Sequence, residues 1–168
     1  MTRATNSFPP ERSLHLRIAH SADAEAIARL INAAFVVERI AFEGDRIGTA
    51  GVCDLMKKGP FLLAEDAIEL AGCVYVEVRG ARSYLGLLSV GPARQGTGLG
   101  RLLVAEAEEY SRQAGCHAME LRIISPRAEP LLPFYQHLGY SQTGTAAFSS
   151  DVTPKVPCYY ITMAKPLR

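Results

Sequence analysis

Val90-Gly91-Pro92-Ala93-Arg94-Gln95-Gly96-Thr97-Gly98-Leu99-Gly100-Arg101 is the stretch on which the reading of this chain turns. It joins a nearly continuous apolar run, Tyr84 to Val90, to an amphipathic one, Leu99 to Ala114. The first predicts a buried central strand, the second a helix. Leu99, Leu102, Leu103, Ala107 and Tyr110 supply the inner face of that helix, with Glu106, Glu108, Glu109 and Arg112 mostly outside and Gly115 as its stop. The first turn of a helix has unpaired N–H groups and the positive end of the dipole. Glycines let that backbone approach a phosphate with no side chain in the way. The loop therefore predicts a phosphate or pyrophosphate ligand. A lone glycine cluster would read as a plain connection; the strand before it and the helix after it argue for anion binding. The nucleoside triphosphate pattern fails, because Thr97 follows Gly96 where a lysine belongs. The dinucleotide pattern fails too, because Arg101 stands at the third glycine.

Working outward, Leu14 to Ile18 alternates apolar and polar residues and predicts a strand. Ser21 is read as a helix cap, followed by apolar residues at helical spacing from Ile27 to Phe35. Val36 to Thr49 reads as an irregular segment and Val52 to Lys58 as a short helix stopped by Gly59-Pro60. Phe61 to Ala64 and Leu70 to Val78 predict strands around a turn near Glu65-Asp66. After the long helix come a strand over His117 to Ile124 and a short helix over Leu131 to Leu138. Two closing strands, Tyr140 to Phe148 and Cys158 to Ala164, flank a polar loop. This order predicts an α/β fold of the α+β kind, a mixed sheet with helices on its faces.

The 168 residues fit one domain, with 48% apolar and 21% charged residues and a formal net charge of +1. The basic residues are scattered and form no stripe for a phosphate backbone, which argues against nucleic acid. No apolar run is long enough for a bilayer span, which argues against a membrane protein. Residues 1–12 are read as a loose polar leader before a domain over 13–168, in a cytoplasmic protein. Cys53, Cys73, Cys116 and Cys158 lie far apart, as small hydrophobes in a reducing compartment would. Neither they nor the four histidines have the spacing of a metal site.

Gln95-Gly96-Thr97-Gly98-Leu99-Gly100 resembles the Q/R-x-x-G-x-G/A signature of the GCN5-related N-acetyltransferase (GNAT) superfamily. Val90-Gly91-Pro92 is similar to the V-x-P that ends the fourth strand in that family. Phe134-Tyr135-Gln136-His137-Leu138-Gly139-Tyr140 resembles its second landmark, F-Y-x-x-x-G-F/Y, a helix and a strand downstream. The resemblance implies a mostly antiparallel sheet of about seven strands, flanked by helices and splayed between the fourth and fifth. It also implies an N-acetyltransferase that uses acetyl-coenzyme A and no metal. The acceptor would be a primary amine of a small molecule, amino acid or peptide, attacking directly in a ternary complex. An acyl-coenzyme A sensor of the same fold without turnover is the alternative. Homodimers are common in the family.

Position by position, the resemblance assigns the pantetheine arm to the backbone of Leu88, Ser89 and Val90. It assigns the pyrophosphate to the N–H groups of Gln95, Gly96, Thr97, Gly98, Leu99, Gly100 and Arg101, with Arg94 and Arg101 adding charge. An asparagine common in the family is replaced by Ala128, so Ser125 or Arg127 takes the contact with the cofactor arm. Tyr135 is the expected proton donor to the departing thiolate. The attacking amine needs a base, and Tyr84 to Val90 holds no carboxylate. Glu38 and Glu77 are the candidates for it, beside Glu43 and Glu120; each is also readable as a solvated surface carboxylate.

Overall fold

A computed structural model describes residues 13–168; the leader expected over 1–12 lies outside them. Seven strands form one sheet: β1 (His15–Ile18), β2 (Phe61–Glu65), β3 (Leu70–Arg79), β4 (Arg82–Val90), β5 (Ala118–Ile124), β6 (Ser141–Ala147) and β7 (Tyr159–Pro166). Their order across the sheet is β1-β2-β3-β4-β5-β7-β6. Every neighbouring pair is antiparallel except β4 and β5. That parallel pair is joined by a right-length crossover through the helix α3 (Leu99–Gln113). Helices α1 (Ala24–Ala34) and α2 (Thr49–Met56) precede β2, and α4 (Ala128–His137) follows β5. This is the sheet the sequence predicts, in seven strands.

The period-two geometry of strands divides the core into two layers. Phe61 and Leu63 of β2, with Cys73 and Tyr75 of β3, pack against Ile27, Ile31 and Val52 of α1 and α2. Leu62, Ala64, Val74 and Val76 point to the other face, against Leu99, Leu103 and Ala107 of α3. The strands covered on both faces are β2 and β3; Phe61 to Ala64 and Ala71 to Val76 are buried without a break. β4, expected to be the buried one, is only half-buried over Gly86 to Leu88, because it borders a gap.

Three local readings shift. Ser21 opens a short 3-10 turn, Ser21–Asp23, and the cap is made by Asp23, whose carboxylate accepts the His20 N–H at 2.7 Å. Asp23 is fixed in turn by Arg17 of β1, which also bonds Glu65 of β2. The irregular segment opens with a 3-10 stretch, Phe35–Ile40. Helix α4 starts at Ala128, three residues before the apolar spacing suggests, because Pro130 in its first turn needs no N–H partner there. Among the described residues, no helix is long and apolar enough to cross a membrane, and no group of three or more His, Cys, Asp or Glu could hold a metal ion.

Candidate active site

The gap opens where the parallel pairing stops. β4 and β5 are in register only from Arg82–Ala118 to Tyr84–Glu120, and beyond Tyr84 the strands part. On its other side β4 carries a bulge. Cys73 faces Ser89 and Tyr75 faces Gly86, so Leu87 and Leu88 together oppose Val74 alone. Leu87 takes a φ of +52°, in the left-handed region that a branched side chain occupies at a cost of roughly 1–2 kcal/mol. The bulge removes this part of the strand from regular pairing next to the gap. A cavity of about 650 Å³ fills the space, running from the glycine loop at one end to the Phe35–Ile40 stretch and β5 at the other.

At the loop end, Leu88, Val90, Gln95, Gly96, Gly98, Leu99, Gly100 and Arg101 line the wall. Gly96 and Gly98 have φ of +77° and +86°, and no heavy atom lies within 4 Å of where a Cβ would stand on either. They are there for backbone conformation, and they leave open space at the surface of the loop. Helix α3 opens with a bond from Leu102 N–H to the Gly98 carbonyl at 3.1 Å. The N–H groups of Leu99, Gly100 and Arg101 precede it and have no intrahelical acceptor. Arg94 also borders the cavity, but its guanidinium is engaged by Asp66 and, at 3.5 Å, by Glu69. It braces the loop against the β2–β3 turn, so its charge is already met. Asp66 sits well below the usual carboxylate range, at about 2, because the Glu69 and Ile68 N–H groups and then Arg94 stabilise its anion.

At the other end stand Glu38, Tyr84, Arg122, Tyr135 and Tyr160. The Glu38 carboxylate is only 13% exposed, and burial pushes its pKa up against the pull of Arg46, 3.7 Å away, and Arg127. Tyr135 is 7% exposed on α4, its ring edge-on to Phe134 and Tyr140. Burial raises its pKa, so the phenol stays protonated. Among the described residues its hydroxyl has no hydrogen-bond partner, which leaves the proton free to be donated into the cavity.

Not all the expected residues meet there. Glu77 lies off the cavity, accepting from the Tyr75 hydroxyl at 2.8 Å and pairing with Arg79 at 2.9 Å. Arg79, then the Tyr75 bond, holds its pKa below the ordinary value, as in a structural ion pair. Glu120 is bound to Arg82, and Glu43 borders the cavity but is 86% exposed and pairs with Lys155. Ser89 turns its hydroxyl to the Leu87 carbonyl at 2.9 Å, and Thr97 turns its own to the Arg94 carbonyl. Ser125 accepts the Tyr159 N–H at 3.1 Å and does not line the cavity. Arg127 does line it, close enough to Glu38 to act on its charge.

Sequence reasoning missed Tyr84, Arg122 and the aromatic cluster of Phe42, Phe148 and Tyr160. Tyr84 lies under Arg79, 4.4 Å from guanidinium to ring centre, and fills the space that Gly86 leaves: a Cβ there would come within 2.9 Å of its ring. The glycine in place of a carboxylate was the available signal. Phe42 stacks on Phe148 at 5.3 Å and Phe148 on Tyr160 at 5.2 Å. These rings line this end of the cavity, and the bond from Lys155 N–H to the Ala41 carbonyl at 2.7 Å ties the segment before Phe42 to the loop after β6.

Comparison with known proteins agrees with this geometry. No curated protein matches the chain. Among solved structures, the ribosomal-protein-S18-alanine N-acetyltransferase from Escherichia coli superposes with a TM-score of 0.72 at 16% identity, over 92% of this chain and 94% of that one. The protein yncA from Salmonella typhimurium, solved with its cofactor acetyl-CoA, gives 0.73 at 22% identity over 92% and 94%. Ard1 from Thermoplasma volcanium gives 0.75 at 16% identity over 92% and 98%. These likenesses establish the fold. The sequence profile of the Acetyltransferase (GNAT) family matches residues 24–140, from the start of α1 through the second landmark, and the chain belongs to that family.

Proposed function

We propose that this chain is an acetyl-coenzyme A-dependent N-acetyltransferase that acetylates a primary amine by direct attack in a ternary complex. One observation carries the reading: a single cavity, threaded through the β4–β5 gap, has the glycine loop at one end and Glu38 with Tyr135 at the other. The loop suits the pyrophosphate of coenzyme A. Its glycines present bare backbone, Leu99 to Arg101 offer unpaired N–H groups, and Arg101 adds an exposed cation. The half-buried backbone of Leu88 and Val90 suits the pantetheine arm, with the acetyl group in the gap. Acetyl-coenzyme A would supply an activated thioester there; yncA, of the same fold, was solved with that cofactor.

The remaining chemistry belongs to the chain. Glu38, largely covered by the fold, takes the proton from the acceptor ammonium as its carboxylate, either directly or through a water. A backbone N–H of β4 beside the bulge at Leu87 and Leu88 would hold the charge that grows on the acetyl oxygen. Tyr135 Oη gives its proton to the leaving sulfur. A continuous assay of coenzyme A thiol release with acetyl-coenzyme A and a panel of amines tests the reading. Amine-dependent release supports turnover. Binding of acetyl-coenzyme A with no release for any amine would leave a sensor instead.

A further inference from the structure

The acceptor end of the cavity holds more positive charge than its own carboxylates answer. Six charged side chains of the Glu38–Arg46 segment and its neighbours pair among themselves: Arg39 with Asp45 at 3.6 Å, Lys155 with Glu43 at 3.7 Å, and Arg46 with Glu38 at 3.7 Å. Arg122 on β5 and Arg127 in the turn after it also line the cavity. Among the described residues neither forms an ion pair; Arg122 is exposed and Arg127 half-buried. Arg122 lies over the Tyr160 ring, 5.3 Å from its centre, and its charge reaches the Tyr84 hydroxyl. Arg127 reaches Glu38. Arg46 and Arg127 share the one carboxylate of Glu38, and Arg122 has none, so this end of the cavity leaves positive charge for an oxyanion ligand to meet.

The acceptor classes differ in the group beside the amine. A lysine side chain of a protein carries only methylene groups there. A free amino acid carries a carboxylate next to its amine, whereas a peptide N-terminus carries a neutral amide there.

Resting on the acetyltransferase reading, we infer that the acceptor is a free amino acid, its amine at Glu38 and its carboxylate held by Arg122 and Arg127. Arg122 and Arg127 are then specificity determinants of the acceptor, and Arg127 serves the acceptor side of the gap. Glu38 and the two arginines read the zwitterion together.

The test uses the whole protein and the twenty amino acids, each beside its α-amide and, where it exists, its decarboxylated amine. Acetyl-coenzyme A affinity is measured separately by calorimetry. The expected result is turnover of one or a few free acids, with the matched amides and amines at least about tenfold poorer in kcat/KM. Arg122→Ala is expected to raise KM for the free acid roughly tenfold or more with acetyl-coenzyme A affinity unchanged, and Arg122→Lys to recover part of the loss. Amides or plain amines that serve as well as the acids would overturn the inference and leave the acetyltransferase reading intact. So would acetyl-coenzyme A binding with no amino acid turned over. Failure to bind acetyl-coenzyme A at all would instead overturn the reading beneath it.

Discussion

Burial holds Glu38 toward its neutral form while two arginines pull the other way, and burial wins. Both the folded and the unfolded chain carry this carboxyl protonated at low pH. As pH rises past its ordinary value near 4.5, the unfolded chain ionises first, and stability falls until the folded group has ionised too. Glu38→Gln is therefore expected to match the wild type in thermal stability at acid pH and to exceed it at neutral pH. The same substitution removes the base, so kcat/KM should drop roughly 10²-fold and lose its acid limb, which in the wild type lies above pH 4.5. A Glu38→Gln variant with an unaltered pH–rate profile would take Glu38 out of the mechanism. For Tyr135→Phe, the buried ring keeps its packing on Phe134 and Tyr140 and loses only the hydroxyl. Acetyl-coenzyme A should bind as before, with kcat lowered roughly 10²-fold in a steady-state assay.

β4 is the element on which the site depends, and it shows where sequence reading stops. Its position, its exit through Val90-Gly91-Pro92 and the glycine loop beyond are local patterns, and all were legible as strand, turn and helix start. The bulge at Leu87 was not, because no glycine marks the positive φ; it exists through the register with β3. Gly86 was legible as a departure, but its reason is the Tyr84 ring two residues earlier on the same face, which sequence spacing alone does not rank. The pairs Arg94–Asp66 and Lys155–Ala41 span the chain and leave no local signal. Glu38 and Glu77 looked alike in sequence; only the fold separates a covered carboxylate on the cavity from one tied to Tyr75 and Arg79. Gly86→Ala should push the Tyr84 ring from its place and raise the acceptor KM several-fold. Acetyl-coenzyme A affinity, measured by calorimetry, should stay unchanged.

At the scale of the molecule, the splayed sheet needs a brace on the side away from the cavity. Glu108 of α3, 5% exposed, accepts from the Tyr140 hydroxyl at 3.0 Å and from Lys165 of β7 at 2.9 Å, so it ties the long helix to the strands beyond the gap. Glu108→Ala would leave a lysine and a phenol without their acceptor, at a cost of about 2–3 kcal/mol, read from urea denaturation. The brace and the cavity are separate parts, and acetyl transfer depends on the second. Calorimetric titration of the purified chain with acetyl-coenzyme A, beside a Gly98→Trp variant shown to be folded by circular dichroism, tests it most directly. Saturable binding by the wild type, lost in the variant whose side chain covers the glycine loop, is the predicted result. A folded wild-type protein that binds no acetyl-coenzyme A, or a variant that binds it equally well, would contradict the account.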